Sequence, residues 1–149
     1  MLRRRRFAGG IQGQGKRSAQ MEFPRKKPQE TVTTKQAGDA AEDRALAHLQ
    51  GSGLVLLARN YRTPGRGGGE IDLVMREPGG TLVFVEVRKR ASRAFGGAAA
   101  SVSHFKQLRI IFAARHYLMR LPQQPPCRFD VVSVEAGGIE WLRGAFDAS

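Results

Sequence analysis

Apolar and polar residues alternate through two nearby stretches, Gly69-Glu70-Ile71-Asp72-Leu73-Val74 and the run from Leu82 to Arg90. Alternation with a period of two is the pattern of a strand with one covered face. Pro78-Gly79-Gly80 between them is turn chemistry, so the two stretches form a β-hairpin. With those three residues as the loop, Glu77 faces Thr81 and Asp72 falls directly opposite Glu86. Strand parity then places Glu70, Asp72, Glu86 and Arg88 on one face and Ile71, Leu73, Val85 and Val87 on the other. Two carboxylates opposed across a ladder repel and weaken the sheet. A bound divalent cation is the simplest compensation.

Elsewhere the pattern is coarser. Residues 1–32 show no sustained periodicity, and Pro24 and Pro28 interrupt any helix there. A helix begins after an N-cap at Thr33 or Thr34 and runs to about Gln50, where Gly51-Ser52-Gly53 stops it. Glu42, Ala45, Leu46 and Leu49 share one of its faces, so Glu42 borders the apolar stripe. A helical glutamate is ordinarily solvated, but this position and the small neighbours Gly38 and Ala41 put an inward role on an equal footing. Leu54–Ala58 has the pattern of a short buried strand, and Arg59–Gly68 that of a loop carrying Arg59, Arg62 and Arg66. That loop either follows a phosphate backbone or is a plain connection. It lacks the pattern of a nucleoside-triphosphate loop. After the hairpin, Ala91–Gly97 is expected to be loop, with a turn at Phe95-Gly96-Gly97. A second helix is expected over about Ala98–Leu121, ended by Pro122. Its stripe of Phe105, Leu108, Ile111, Phe112 and Leu118 is expected to pack on the sheet, with Arg115 laying its stem along it. Lys106, Arg109 and Arg120 lie off the stripe. Two more strands follow, Cys127–Val134 and Ile139–Leu142, joined by Ala136-Gly137-Gly138. Helix, three strands, helix, two strands predicts an α/β or α+β domain with one mixed sheet and helices against it.

Charge changes this picture at one end. Of the formal net charge of +12 over 149 residues, +8 lies in residues 1–35. Such a chain favours polyanions, nucleic acid before acidic lipid, although a basic tail also serves solubility alone. Met1–Arg6 resembles the start of a signal peptide, but Phe7–Gly13 is too short and too rich in glycine to be its apolar core. The same glycines argue against the amphipathic helix of a transit peptide, leaving a disordered tail. Cys127 is the single cysteine, which excludes an intrachain disulfide and a cysteine-based metal cluster and suits a reducing cytoplasm. No apolar run approaches the roughly 18 residues of a membrane span.

Chemistry therefore centres on the carboxylates. Magnesium is commonly held by one or two carboxylates with water and substrate phosphate, and Asp72 and Glu86 supply the two. The Val87 carbonyl is a candidate third oxygen. Arg88, on the same face, can hold a phosphate oxygen but cannot act as a base. Deprotonation of the attacking water would fall to the metal, Glu42 or Glu70. The competing reading is a solvated polar face. His48, His104 and His116 show no metal-ligand spacing. Asp130 is expected to be structural, Trp141 to be core, and Cys127 to be small and buried.

Asp72 followed on a second strand by Glu86-Val87-Arg88 resembles the PD-(D/E)xK nuclease signature. Taken in order, Gly38–Glu42, Arg59-Asn60, Gly69–Leu73, Phe84–Arg88, Phe95-Gly96, Lys106 and Arg128–Val132 resemble the YraN family, a bacterial group similar to archaeal Holliday junction resolvases. The resemblance implies a restriction-endonuclease-like α/β domain over residues 34–146, a mixed sheet flanked by helices, behind a disordered basic tail at 1–33. It gives Asp72 and Glu86 the metal-ligand roles, with Mg²⁺ or Mn²⁺, and Glu42 that of a helical carboxylate. Arg88 stands where the nuclease pattern has lysine, and the two are not interchangeable. Lys89 points to the opposite face; Lys106 either replaces the amine from the next helix or is an ordinary solvated lysine. The implied activity is metal-dependent endonuclease action on branched or structured DNA, in the cytoplasm, by a homodimer, with Arg59, Arg62, Arg66, Arg90 and Lys106 on the nucleic acid. Two alternatives stand beside it. One is a nucleic-acid-binding protein that keeps the fold without cleaving; the other is an adaptor whose tail docks on an acidic partner or membrane.

Overall fold

The computed structural model describes residues 31–90 and 102–149. Residues 1–30 of the expected tail and the loop and turn expected over Ala91–Gly97 lie outside these. Helix α1 spans Thr34–Gly51. Thr33 caps it: its hydroxyl accepts the Gln36 N–H at 3.2 Å, and the Gln36 side chain accepts the Thr33 N–H at 2.8 Å. This reciprocal box satisfies two amide donors that would otherwise lack helical partners. Five strands follow the pattern β1 (Val55–Arg62), β2 (Glu70–Arg76) and β3 (Leu82–Lys89), then helix α2 (His104–Met119), then β4 (Cys127–Glu135) and β5 (Gly138–Phe146). They form one sheet in the order β1-β2-β3-β4-β5. All neighbours are antiparallel except β3 and β4, which are parallel and joined through α2. The expected mixed sheet with helices against it is therefore present. Ala41, Ala45 and Leu49 of α1 cover one face with Val83, Val85 and Val132, and Ile110, Ala113 and Ala114 of α2 cover the other with Phe84 and Val131. No helix among the described residues is long and apolar enough to cross a membrane.

Several expectations need correction. Strand β1 extends to Arg62 and lies at the sheet edge, so Arg59 and Arg62 are strand residues and Val55 and Leu57 are exposed. Its irregularity hid it: the register to β2 shifts around Leu57, and Asn60 has φ +48°. Bulges and left-handed residues both break two-residue alternation.

Parity also fails once in β2. Ile71 joins the cluster under α2, whereas Leu73 joins the cluster under α1, so they face opposite ways. The break sits at Asp72, opposite the left-handed Asn60, where the β1–β2 pairing skips from Arg59–Leu73 to Tyr61–Ile71.

Helix α2 presents a different face from the one expected. Capped by Ser103, it starts later than Ala98, since Val102 and Ser103 are not helical and 98–101 lie outside the described residues. Ile110, Ile111, Ala113 and Ala114 point inward, while Phe105, Leu108 and Phe112 point out. The helix has apolar residues on both sides, and close approach selects between them. A Cβ at Gly69 of the neighbouring loop would collide with the Arg109 carbonyl and Ala113, so the small side of α2 lies against this backbone.

At the far edge, Asp130 is fully buried on β4. Its carboxylate accepts Arg128 Nε at 2.9 Å, Trp141 Nε1 at 2.9 Å and the Gly144 N–H at 3.0 Å. Gly144, with φ +61°, lies where the β4–β5 register shifts, and the bulge turns its N–H inward. Asp130 is the structural carboxylate expected. Asp130→Ala should cost about 2–5 kcal/mol, because it leaves the Trp141 Nε1–H and the Gly144 N–H without their acceptor, while the half-buried Arg128 keeps its pair with Glu77. Urea denaturation checks this. Cys127, expected to be buried, is exposed at the start of β4.

Candidate active site

The hairpin has the register read from its turn. Leu73 pairs with Val85 and Arg76 with Leu82, and the Glu77 N–H donates to the Thr81 carbonyl. Continued by one step, this register sets Asp72 opposite Glu86. The regular pairing stops at Leu73–Val85, and beyond it the Val87 N–H donates to Asp72 Oδ2 at 2.8 Å. The Asp72 carboxylate is thus fixed against β3, beside Glu86.

Glu86 is the more confined of the two, its side chain only 4% exposed. One oxygen, Oε1, lies 3.6 Å from Lys106 Nζ and 3.6 Å from Arg88 Nη1. The other, Oε2, is buried and has no hydrogen-bond donor among the described residues. Burial, and next the Asp72 charge, push the Glu86 carboxyl up to about 8, against the partial relief of Lys106 and Arg88. Burial raises Asp72 as well, opposed first by the Val87 N–H. Two largely buried carboxylates whose ionised forms burial disfavours form a site that suits a small hard cation. Three or more His, Cys, Asp or Glu side chains do not come close enough to hold a metal among the described residues. A cation here would take two carboxylates and complete its shell from backbone, water or substrate oxygen.

Glu42 reaches the site from α1. It is raised by burial and then by the Asp72 charge, and Arg59 Nη2 lies 3.4 Å from its Oε2. Arg59 also pairs with Asp43 at 2.9 Å. Lys106, in the first turn of α2, is brought to Glu86 because α2 follows β3 and packs back over it; it is not a freely solvated lysine. The structure therefore gathers Glu42, Asp72, Glu86, Arg88 and Lys106 from four elements.

The other expected nucleic-acid contacts are scattered. Arg59 is committed to α1 carboxylates, and Arg62 Nη2 pairs with Glu70 at 3.0 Å. That pairing also occupies Glu70, one of the candidate bases. Arg66 is exposed in the glycine-rich turn. Arg90 follows β3, its N–H donating to the Val134 carbonyl, and lines a cavity with Ala37 and Ala41 of α1.

Two positioning residues have no signal in the periodicity. Asn60 places its side chain on Glu42 and bends β1 opposite Asp72. Asparagine at the end of an otherwise strand-like run was the available clue, since it tolerates the left-handed region better than most residues. Arg109 donates from Nε and Nη2 to the Gly68 carbonyl at 3.2 and 3.0 Å, tying α2 to the loop before β2. Its place off the apolar stripe pointed only to solvent.

Residues 41–134 match the model of a family described as uncharacterised protein family UPF0102. The chain belongs to this family. It is the YraN-like group that the motifs suggested. A UPF0102 protein of Albidiferax ferrireducens is 72% identical over 116 residues, covering 78% of this chain and 91% of that one. One from Paracidovorax citrulli is 69% identical over 117 residues, covering 78% and 87%. One from Methylibium petroleiphilum is 64% identical over 121 residues, covering 79% and 99%. The UPF0102 match begins one residue before Glu42 and ends in β4, so it contains every residue of the cluster.

Proposed function

We propose that this UPF0102 protein is a metal-dependent nuclease acting on the phosphodiester backbone of branched or structured DNA. The observation that carries the reading is the Asp72–Glu86 pair, with Glu86 buried and its Oε2 lacking a donor among the described residues, approached by Lys106 and Arg88. Asp72 and Glu86 would hold Mg²⁺ or Mn²⁺, and such an ion supplies an activated water and neutralises charge on the phosphate. The chain's own residues divide the rest. Glu42, raised by burial, accepts the proton of the attacking water. Lys106, a compact donor held beside Glu86, stabilises the charge that develops on the phosphate oxygens as the bond to the leaving sugar oxygen breaks. Arg88, 40% exposed at the rim, orients the phosphate by two parallel hydrogen bonds.

A second reading, binding without cleavage, is favoured by Arg88 at the lysine position and by the engagement of Glu42 with Arg59. Calorimetric titration with Mn²⁺ is the test. The wild type should bind one ion, the Asp72→Ala, Glu86→Ala variant none, and nicking of a four-way junction should require the ion. Absence of ion binding by the wild type, with and without DNA, would refute the nuclease reading.

A further inference from the structure

The outward side of α2 carries large apolar residues that are half or more exposed among the described residues. Phe105 is 72% exposed, Leu108 50%, Phe112 54% and Met119 71%. At 100° per residue these four fall within one narrow stripe, opposite the buried Ile110–Ala114 face. Arg109 and Arg115 border the stripe on its two sides, Arg120 follows the last turn, and the helix contains no acid. Arg109 and Arg115 bond to the backbone carbonyls of Gly68 and Ala148, which leaves their charges unneutralised. One acid, Asp147, lines the groove at the margin. A second copy of this face would bring cation against cation, and the chain's own first 35 residues, with their net +8, would do the same. The occupant must be anionic and must also offer flat or apolar surface.

We propose that this face binds unpaired nucleotides, their bases stacking on Phe105 and Phe112 and their phosphates running along Arg109 and Arg115. Exposed aromatics beside a positive track are what single-stranded nucleic acid uses, because every base has a face to stack while the backbone needs only charge. The stripe begins at Phe105, next to Lys106, whose Nζ lies 3.6 Å from Glu86. A strand on the outward side of α2 that passed round its N-terminal turn would come to Lys106 and the carboxylate pair. Resting on the nuclease reading, this narrows the substrate to DNA with a single-stranded segment next to a duplex.

Fluorescence anisotropy with the full chain, without divalent ions, tests the proposal using an unstructured thymidine oligonucleotide and a blunt duplex of equal length. Phe105→Leu, Phe112→Leu keeps the apolar character and removes the rings. It should weaken single-strand binding about tenfold or more while changing duplex binding less than about twofold. Phe105→Tyr, Phe112→Tyr should keep wild-type affinity for both. Unchanged single-strand affinity in the leucine variant, or equal losses on both probes, overturns the proposal. So does binding of the wild type to phosphatidylglycerol vesicles but not to the oligonucleotide, which makes the face a membrane contact. A concentration-dependent dimer lost in the leucine variant, without any single-strand effect, overturns it in favour of a second copy. Mn²⁺ binding at Asp72 and Glu86 is read separately, so the carboxylate site stands or falls independently.

Discussion

In metal-free buffer, Glu86→Gln should make the protein more stable at pH 9 and leave it close to wild type at pH 4. The cause is the carboxyl pushed up to about 8 by burial and by Asp72. Between its ordinary value of 4.5 and about 8, the folded protein keeps a proton that the unfolded chain has released. The stability tied to that proton is fully present below pH 4.5 and is lost as pH rises through 8. Glutamine has the same shape, cannot ionise, and can donate to Asp72 as the protonated acid does. Each tenfold difference in proton affinity between the folded and unfolded chain corresponds to about 1.4 kcal/mol, and Asp72 shares the titration, so the gain at pH 9 should be about 2–4 kcal/mol. Urea midpoints from pH 4 to 9 measure it. Saturating Mn²⁺ should reverse the order, because only the wild type can use the ion to lower its own free energy. A glutamine variant less stable than wild type at pH 9 would mean that Lys106 and Arg88 already balance the charge.

The hairpin was legible because a tight turn transmits register over many residues: once Pro78-Gly79-Gly80 is the loop, Asp72 must meet Glu86 wherever the strands remain regular. The capping box at Thr33 and the stripe on α1 were legible for similarly local reasons. What failed depended on contacts remote in sequence. Helix α2 has apolar residues all round, and its buried side was chosen by the missing Cβ of Gly69. Asn60 looked like the start of a loop because one left-handed residue inside an edge strand has no periodic signature. The Asp130 cage required a bulge in β5 that returns the Gly144 N–H to β4. Lys106 was the hardest residue to place. Its position off the stripe suggested solvent, and only the return of α2 over β3 brings it to Glu86. The carboxylates and Arg88 were thus readable and Lys106 was one of two readings, whereas the positioning roles of Asn60 and Arg109 were not.

Lys106→Ala should lower nicking of branched DNA by about 10²–10³-fold while DNA affinity falls only a few-fold, the usual consequence of removing a donor aimed at developing charge. Arg88→Lys should change the rate less than about tenfold if the proposed mechanism holds, since a compact amine already reaches Glu86 from α2 and Arg88 would only orient the phosphate from the rim. Single-turnover rates on a four-way junction, with affinities measured in the absence of divalent ions, separate the two effects. Lys106 also lowers the proton affinity of Glu86, so its removal should displace the rate profile to higher pH as well as lowering its plateau. A residue that only balanced charge would shift the profile and leave the plateau intact. The pair of variants also decides between the two functional readings. If the wild type binds DNA and Mn²⁺ without nicking, and Arg88→Lys restores nicking, the arginine marks a nuclease fold kept for binding. If the wild type nicks and Lys106→Ala does not, the lysine of the PD-(D/E)xK pattern has moved from strand β3 to helix α2 while its charge still reaches the same carboxylate.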